Sequence, residues 1–211
     1  MKKILHADDH PMIRAGLKII IQGYIPNVIV DEACDGDSAF NKIKKENYDL
    51  VILDVSMPGT DSFGLISNIL AIKPDTRILM FSMHGEDMYA KRYFQLGVRG
   101  YVNKEAPVSD IENAISIILN DRKYMSSYLT QLLTEEALGK KKSNPFDSLS
   151  PREFEIVKYL AMGESVATIS RLLNLHTSTI GTFKSRIFEK LCCNNLVALN
   201  SLAKINNVLQ A

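Results

Sequence analysis

Asp8-Asp9, Asp54, Ser82 and Lys104 lie in four segments far apart in the chain, and their residue types are the ones that handle phosphate. Paired carboxylates beside a third are hard oxygen ligands of the kind Mg²⁺ takes while keeping several of its waters. A carboxylate is also a nucleophile toward phosphorus, once a cation holds the incoming oxygens and screens their charge. A hydroxyl and an ammonium can then bind the phosphoryl group. Singly, each residue has an ordinary reading. Asp9, just before His10-Pro11, could cap a helix, Ser82 could be a strand-end hydroxyl, and Lys104 could be a solvated loop charge. Asp54 resists that treatment, because an acid following Leu50-Val51-Ile52-Leu53 is costly to bury unless something compensates it.

These residues need a scaffold that brings them together, and the apolar patterning supplies one. Short apolar runs at 3–7, 28–33, 49–53, 77–82 and 99–102 alternate with amphipathic stretches near 11–22, 37–46, 62–72, 86–96 and 109–119. Alternation of this kind predicts a doubly wound, five-stranded parallel sheet, an α/β fold with helices on both faces. In such a sheet the ligand crevice lies beyond the carboxyl ends of the strands, where all four segments fall. Asp54 ends the central run and is followed by the Met57-Pro58-Gly59 turn.

The last sixty or so residues carry no strand pattern. Ser150-Pro151-Arg152-Glu153 has the features of a helix start, with Ser as cap, Pro first in the helix and Glu three residues after the cap. Helices are predicted at 151–162, 165–173, 177–191 and 195–207. The short turn Leu173-Asn174-Leu175-His176-Thr177 between two of them predicts a helix-turn-helix in a small all-α unit. Along its second helix Ile180, Phe183, Ile187 and Leu191 recur at core spacing, which leaves Thr182, Lys184, Ser185 and Arg186 on or beside the opposite face. Hydroxyls and cations there suit phosphates and base edges, although a solvated polar face fits the composition equally. Between the two units, residues 121–146 predict a short helix that ends at Gly139, then the tether Lys140-Lys141-Lys142-Ser143-Asn144-Pro145.

Composition sets the boundaries. At 211 residues, 46% apolar and 23% charged, the chain is an ordinary globular sequence. Met1-Lys2-Lys3-Ile4-Leu5-His6-Ala7-Asp8-Asp9 turns acidic too soon to read as a signal peptide, and no apolar stretch approaches the length of a membrane span. Cys34, Cys192 and Cys193 lack metal-ligand spacing and a disulfide framework, and they fit a reducing cytoplasm. Residues 1–138 hold 15 Lys and Arg against 19 Asp and Glu, whereas 145–211 hold 7 against 5. An acidic front and a basic rear predict a cation site followed by a polyanion partner.

Taken together, Asp8-Asp9, Leu53-Asp54 with Met57-Pro58-Gly59, Ser82, and Lys104 after Gly100-Tyr101-Val102-Asn103 resemble the receiver domain of two-component response regulators, a flavodoxin-like fold, over roughly residues 1–120. The resemblance implies that Asp54 takes a phosphoryl group from a sensor histidine kinase. It implies Mg²⁺ held by Asp9, Asp54 and the backbone carbonyl of Ser56, with Asp8 helping through water. Lys104 would pair with the phosphoryl group, Ser82 would swing toward it, and Tyr101 would turn inward as a switch. Two positions depart from the family pattern: Ser62 replaces a loop glycine, and His6 stands where an aliphatic is usual, read here as a core residue with one hydrogen bond.

Leu149-Ser150-Pro151-Arg152-Glu153, Gly163-Glu164-Ser165, Ile169 with Leu172, Thr179-Ile180 and Lys190-Leu191 are similar to the LuxR-type helix-turn-helix over residues 147–211. Receiver plus this module is the NarL/FixJ class, a non-enzymatic, cytoplasmic, DNA-binding transcription regulator. Carried over by position, Gly181, Thr182 and Ser185 would approach bases, and Thr179, Lys184, Arg186 and Lys190 would contact phosphates. Val166-Ala167-Thr168, Gly181 and Phe183 depart from the common residues, which implies fewer direct base contacts. The last helix, with Leu196, Leu199, Leu202 and Ala203, resembles a dimer-forming helix, although bundle core is its ordinary reading; the implied partners are promoter DNA, a second copy of the chain and RNA polymerase. Phosphorylation would release a recognition helix that the resting receiver masks. A Mg²⁺-dependent phosphohydrolase is the competing reading. It would want a second acid close after the nucleophile, where Ser56 stands.

Overall fold

The computed structural model describes residues 1–139, 144–173, 175–206 and 208. Two compact units divide the chain, Met1–Leu133 and Thr134–Ala211. The first alternates strand and helix five times: β1 (Lys3–Ala7), α1 (Pro11–Tyr24), β2 (Ile29–Ala33), α2 (Gly36–Lys45), β3 (Leu50–Asp54), α3 (Ser62–Ile72), β4 (Ile78–Ser82), α4 (Glu86–Leu96), β5 (Gly100–Asn103) and α5 (Val108–Leu119). The strands form one parallel sheet in the order β2-β1-β3-β4-β5. This is the doubly wound α/β sheet that the alternation predicts.

Why the run 50–54 is central follows from its composition. Every residue of β3 and of β4 is buried, as a strand covered by helices on both faces requires. On one face Ile4, Leu50, Ile52, Leu79, Phe81 and Val102 pack with Leu17 and Ile21 of α1 and Ile111, Ile115 and Ile118 of α5. On α2, α3 and α4, Ile43, Ile66, Ile69 and Tyr93 are fully buried. Helix starts are fixed locally: Asp35 and Ser38 form a capping box at α2, and Asp61 accepts the Gly64 amide at α3 (2.9 Å). Gly97, at φ 103°, ends α4 in the left-handed conformation that favours glycine.

The register then aligns the strand ends. Ala7 lies beside Leu53, Asp54 beside Phe81 and Ser82 beside Asn103. Just past the strands, the Asp8 amide donates to the Ala33 carbonyl (3.2 Å) and the Lys104 amide to the Ser82 carbonyl (2.8 Å). The four chemical segments therefore share one edge.

The segment read as linker is more structured than the sequence reading has it. Tyr124 bridges to Gly100, and Ser126 donates a hydrogen bond to Glu86, so residues just past 120 extend the first unit. Helix α6 (Ser127–Ala137) follows, and Gly139 adopts φ 67°. A 3₁₀ turn at Pro145–Ser148, beginning at the last residue of the expected tether, buries Phe146 against Phe154. Lys140-Lys141-Lys142, Ser143, Asn174 of the interhelical turn and Asn207 lie outside the described residues.

The second unit is helical: α7 (Pro151–Ala161), α8 (Val166–Leu172), α9 (Thr177–Lys190) and α10 (Leu196–Ile205). Leu149, Phe154, Val157, Ile169, Ile180, Ile187, Leu199 and Ala203 are buried in its core. Ser150 and Glu153 form the anticipated capping box at α7.

Burial separates the two classes of apolar residue in this fold. Replacing the fully buried Ile115 by Ala is expected to destabilise the first unit by about 2–5 kcal/mol. The same change at Ile19, 71% exposed, is expected to fall within about 0.5 kcal/mol of wild type. Urea unfolding of the two variants measures the contrast.

Candidate functional site

At the carboxyl edge of the sheet the Lys104 ammonium sits between two buried carboxylates, 2.7 Å from Asp8 Oδ2 and 2.9 Å from Asp54 Oδ2. Asp8 is fully buried and Asp54 almost so, at 0% and 2% exposure. Asp9 stands beside them, half-buried, its Oδ1 2.9 Å from His10 Nδ1. Oxygens of Asp8, Asp9 and Asp54 and a ring nitrogen of His10 all lie within 4.8 Å of one another. Carboxylates that close repel unless cations lie between them, and hard oxygen donors from two strand ends make a set compatible with a divalent cation.

The same lysine favours the charged form of both carboxyl groups, yet their net shifts are opposite. Burial pushes Asp8 up, but the Lys104 ammonium and the His10 amide (2.8 Å) outweigh it and hold Asp8 below the usual carboxylate range. For Asp54, burial wins over Lys104, helped by the Asp8 charge, and its pKa is raised. Lys104 itself is raised: burial lowers it, and both carboxylates overcome that.

The remaining candidates surround Asp54. The Ser56 amide donates to Asp54 Oδ1 (3.2 Å). Ser82 is buried, and its Oγ accepts the His84 amide (3.0 Å). Tyr101 is already inside the fold, with its hydroxyl donating to the His84 carbonyl (2.9 Å). The inward placement assigned to the phosphorylated form is the one this structure has. Burial, opposed by the Ser82 hydroxyl, pushes the Tyr101 phenol up.

Two residues at the site were missed from the sequence. His84 Nε2 lies 2.8 Å from Ser56 Oγ, and its ring stacks on Tyr89 (4.9 Å), so it joins the loop after β3 to the loop after β4. His10 contacts both Asp8 and Asp9. The signal available was position alone, one after the acidic pair and two after Ser82. Asp9 is not the cap of α1: the cap position is His10, and it makes no side-chain cap bond. His6, read as having one hydrogen bond, has none on either ring nitrogen. Burial lowers its pKa to about 4, which keeps it neutral.

On the helical unit, α9 exposes Thr182, Ser185 and Arg186 and leaves Thr179, Gly181 and Lys184 half-buried. The Thr182 and Ser185 hydroxyls donate to the carbonyls of Ser178 (3.1 Å) and Gly181 (3.2 Å) on their own helix. Phe183, expected in the core, is only half-buried and lines a surface groove with Ser178, Thr179, Thr182 and Arg186. Lys190, assigned to a phosphate, holds its ammonium 2.7 Å from Glu153 Oε2, a carboxylate that also accepts the Ser150 amide. Its charge is engaged in fixing α9 to α7.

Residues 4–116 match the response regulator receiver domain, and residues 147–203 match the family described as bacterial regulatory proteins, luxR family. The response regulator UvrY of Escherichia coli is 31% identical over 96% of this chain and 94% of its own. The Fimbriae Z protein of Salmonella typhimurium is 33% identical over 98% of each. A structure of RcsB from Salmonella enterica, bound to promoter P1flhDC in the presence of the phosphomimetic BeF3−, is 26% identical with a TM-score of 0.74, covering 95% of this chain and 97% of that one.

Ionised Asp54 costs stability wherever pH exceeds its raised folded-state pKa, and that cost disappears as pH falls through this value toward the ordinary 3.8. Asp54→Asn, measured without added divalent cation, is therefore expected to melt a few degrees above wild type at neutral pH. The gain should vanish by about pH 3.8 in thermal melts across pH.

Proposed function

This chain belongs to the two-component response regulators that join a receiver domain to a LuxR-type, DNA-binding helix-turn-helix, and from that premise we propose that phosphorylation of Asp54 by a sensor histidine kinase controls its dimerisation and promoter binding. The observation that carries the reading is Lys104, shared at 2.7 and 2.9 Å between two buried carboxylates at the strand ends. Such an ammonium can be drawn to a new anion without leaving its pocket.

In the proposed step an Asp54 carboxylate oxygen attacks the phosphorus of a phosphohistidine. A P–O bond forms as the P–N bond breaks, and the leaving imidazole takes up a proton. Lys104 turns to the transferred oxygens and offsets their charge. Mg²⁺, held by Asp9, Asp54 and the Ser56 carbonyl with Asp8 acting through water, would supply the remaining neutralisation. The donor set fits it, because one ammonium cannot balance three adjacent carboxylates. Ser82, whose Oγ now accepts the His84 amide, would release it to donate to a phosphoryl oxygen, and Tyr101, hydrogen-bonded to the His84 carbonyl, would report the shift. On this reading the chain turns over no external substrate; among the described residues no helix is long and apolar enough to cross a membrane.

For DNA, the proposal keeps Gly181, Thr182 and Ser185 toward bases and Thr179, Lys184 and Arg186 toward phosphates. The hydroxyls, bonded only to their own helix, can turn outward at little cost. For the dimer, Leu199 and Ala203 of α10 are fully buried in the bundle, so the exposed apolar residues left on α10 for a second copy include Leu196 (38% exposed), Val197 (74%) and Ile205 (78%).

Acetyl phosphate with Mg²⁺ is expected to add one phosphoryl group to the wild-type chain, by mass spectrometry, and none to Asp54→Asn. In gel shifts with a DNA site selected from random sequence, Asp54→Asn binding as tightly as phosphorylated wild type would overturn the control. Arg186→Ala is expected to weaken binding and reduce the slope of log affinity against log salt by about 1. Lys190→Ala should leave that slope unchanged and lower the melting temperature, since its partner is Glu153.

A further inference from the structure

His6 is fully buried, and both of its ring nitrogens lack a hydrogen-bond partner. Buried polar groups normally have one, so an unpaired imidazole in a strand calls for a role. Its place suggests what that role is. His6 and Asp8 are two residues apart on and just past β1, so their side chains project to the same face of the sheet. His6 Nε2 lies 3.9 Å from Asp8 Oδ2, and Phe81 packs edge-on against the ring (6.2 Å between centroids). That separation is about 1 Å too long for a hydrogen bond.

Asp8 has its other oxygen committed to the His10 amide (2.8 Å). Oδ2 depends on Lys104, which it shares with Asp54. On the reading of Asp54 as phosphoacceptor, Lys104 turns toward the phosphoryl group and Asp8 Oδ2 loses its closest cation. We propose that His6 is a positioning residue that then donates its Nε2–H to Asp8 Oδ2, so that Asp8 keeps its orientation while Lys104 serves the phosphoryl group. The ring stays neutral throughout, and no proton changes owner. The exchange is of one hydrogen-bond donor for another, and an aliphatic residue at this position could not take part. The hydrogen bond that His6 lacks in this structure is the one it makes in the phosphorylated form.

The test uses the full-length chain with beryllium fluoride and Mg²⁺, followed by NMR. In wild type, the His6 ring ¹⁵N signals should shift on saturation, with a downfield Nε2-bound proton appearing. His6→Leu should fold at least as stably, because an aliphatic suits the core, yet bind beryllium fluoride about tenfold more weakly, the worth of one hydrogen bond to a buried charge. His6→Gln, which can place an N–H near the same point, should restore most of that loss. A packing role alone predicts that Leu binds as well as wild type and that Gln binds worse. Either that pattern, or His6 signals unmoved while β4 and β5 amides respond, overturns the proposal and leaves the Asp54 reading intact. A wild-type chain with no response to beryllium fluoride overturns both. His6→Met provides a second non-donor, and it must weaken binding as Leu does.

Discussion

Three carboxylates are forced into one small volume, and a single ammonium is divided between two of them. Parallel strands β1 and β3 end at the same edge, so Asp8 and Asp54 meet as a consequence of register, and Lys104 arrives from the end of β5. In water, charges at this distance would interact weakly. In a buried site the effective dielectric is lower and each displacement of the lysine matters more. Asp8 held below its usual range and Asp54 held above it, with one lysine between them, describe a site that favours one cation arrangement and is poised for another. Asp54, the acceptor on the proposed reading, is the member of the pair that burial leaves less well compensated.

What happens at Asp54 has a short physical route outward. Ser56 Oγ meets His84 Nε2, the His84 amide is held by Ser82 Oγ, and the His84 carbonyl receives the Tyr101 hydroxyl. Tyr101 in turn stacks 6.1 Å from Tyr93, which stacks 4.6 Å from Phe63 and shares a buried hydrogen bond with Ser62. Ser62 is the residue that replaces a loop glycine of the family pattern. It is not merely tolerated, because its hydroxyl ties the start of α3 to α4 across 2.9 Å. A side chain that moves at Ser82 therefore encounters His84, and through it an aromatic column that reaches two helices. Packed groups of this kind have few alternative arrangements, which is how a small local shift becomes a change of surface.

The sequence was most legible where periodicity and chemistry coincided. The run ending at Asp54 and the capping box at Ser150 and Glu153 were both readable, since each depends on residues close in the chain. Side-chain partners across the fold were not. Lys190 looked like a phosphate contact because it is a lysine near the end of a recognition helix, but Glu153 lies 37 positions earlier and only tertiary packing brings the two to 2.7 Å. Phe183 fitted the core stripe by spacing alone, yet a helix in a small bundle buries a narrow stripe, and Ile180 and Ile187 fill it. Leu199 and Ala203 fit an interface and a core equally by spacing, and packing makes them core. The contact between His84 and Ser56 left no periodic trace, because loop residues carry none.

The two units also differ in how a signal can act on them. Each has its own buried core and its own capped helices, so the helical unit holds its shape by local means, including the Glu153 and Lys190 pair. Allosteric coupling in proteins is typically worth about 1–3 kcal/mol. A core of this kind is not dismantled by that amount, but an association equilibrium moves by about 5- to 150-fold. On the proposed reading, phosphorylation therefore works by changing how often two chains meet on DNA, and the recognition helix keeps its fold throughout. On the same reading the burden of specificity falls on α9, where Thr182, Ser185 and Arg186 are among the exposed donors. With Gly181 offering no side chain and Lys190 engaged with Glu153, a second copy on this reading adds contacts that one copy lacks.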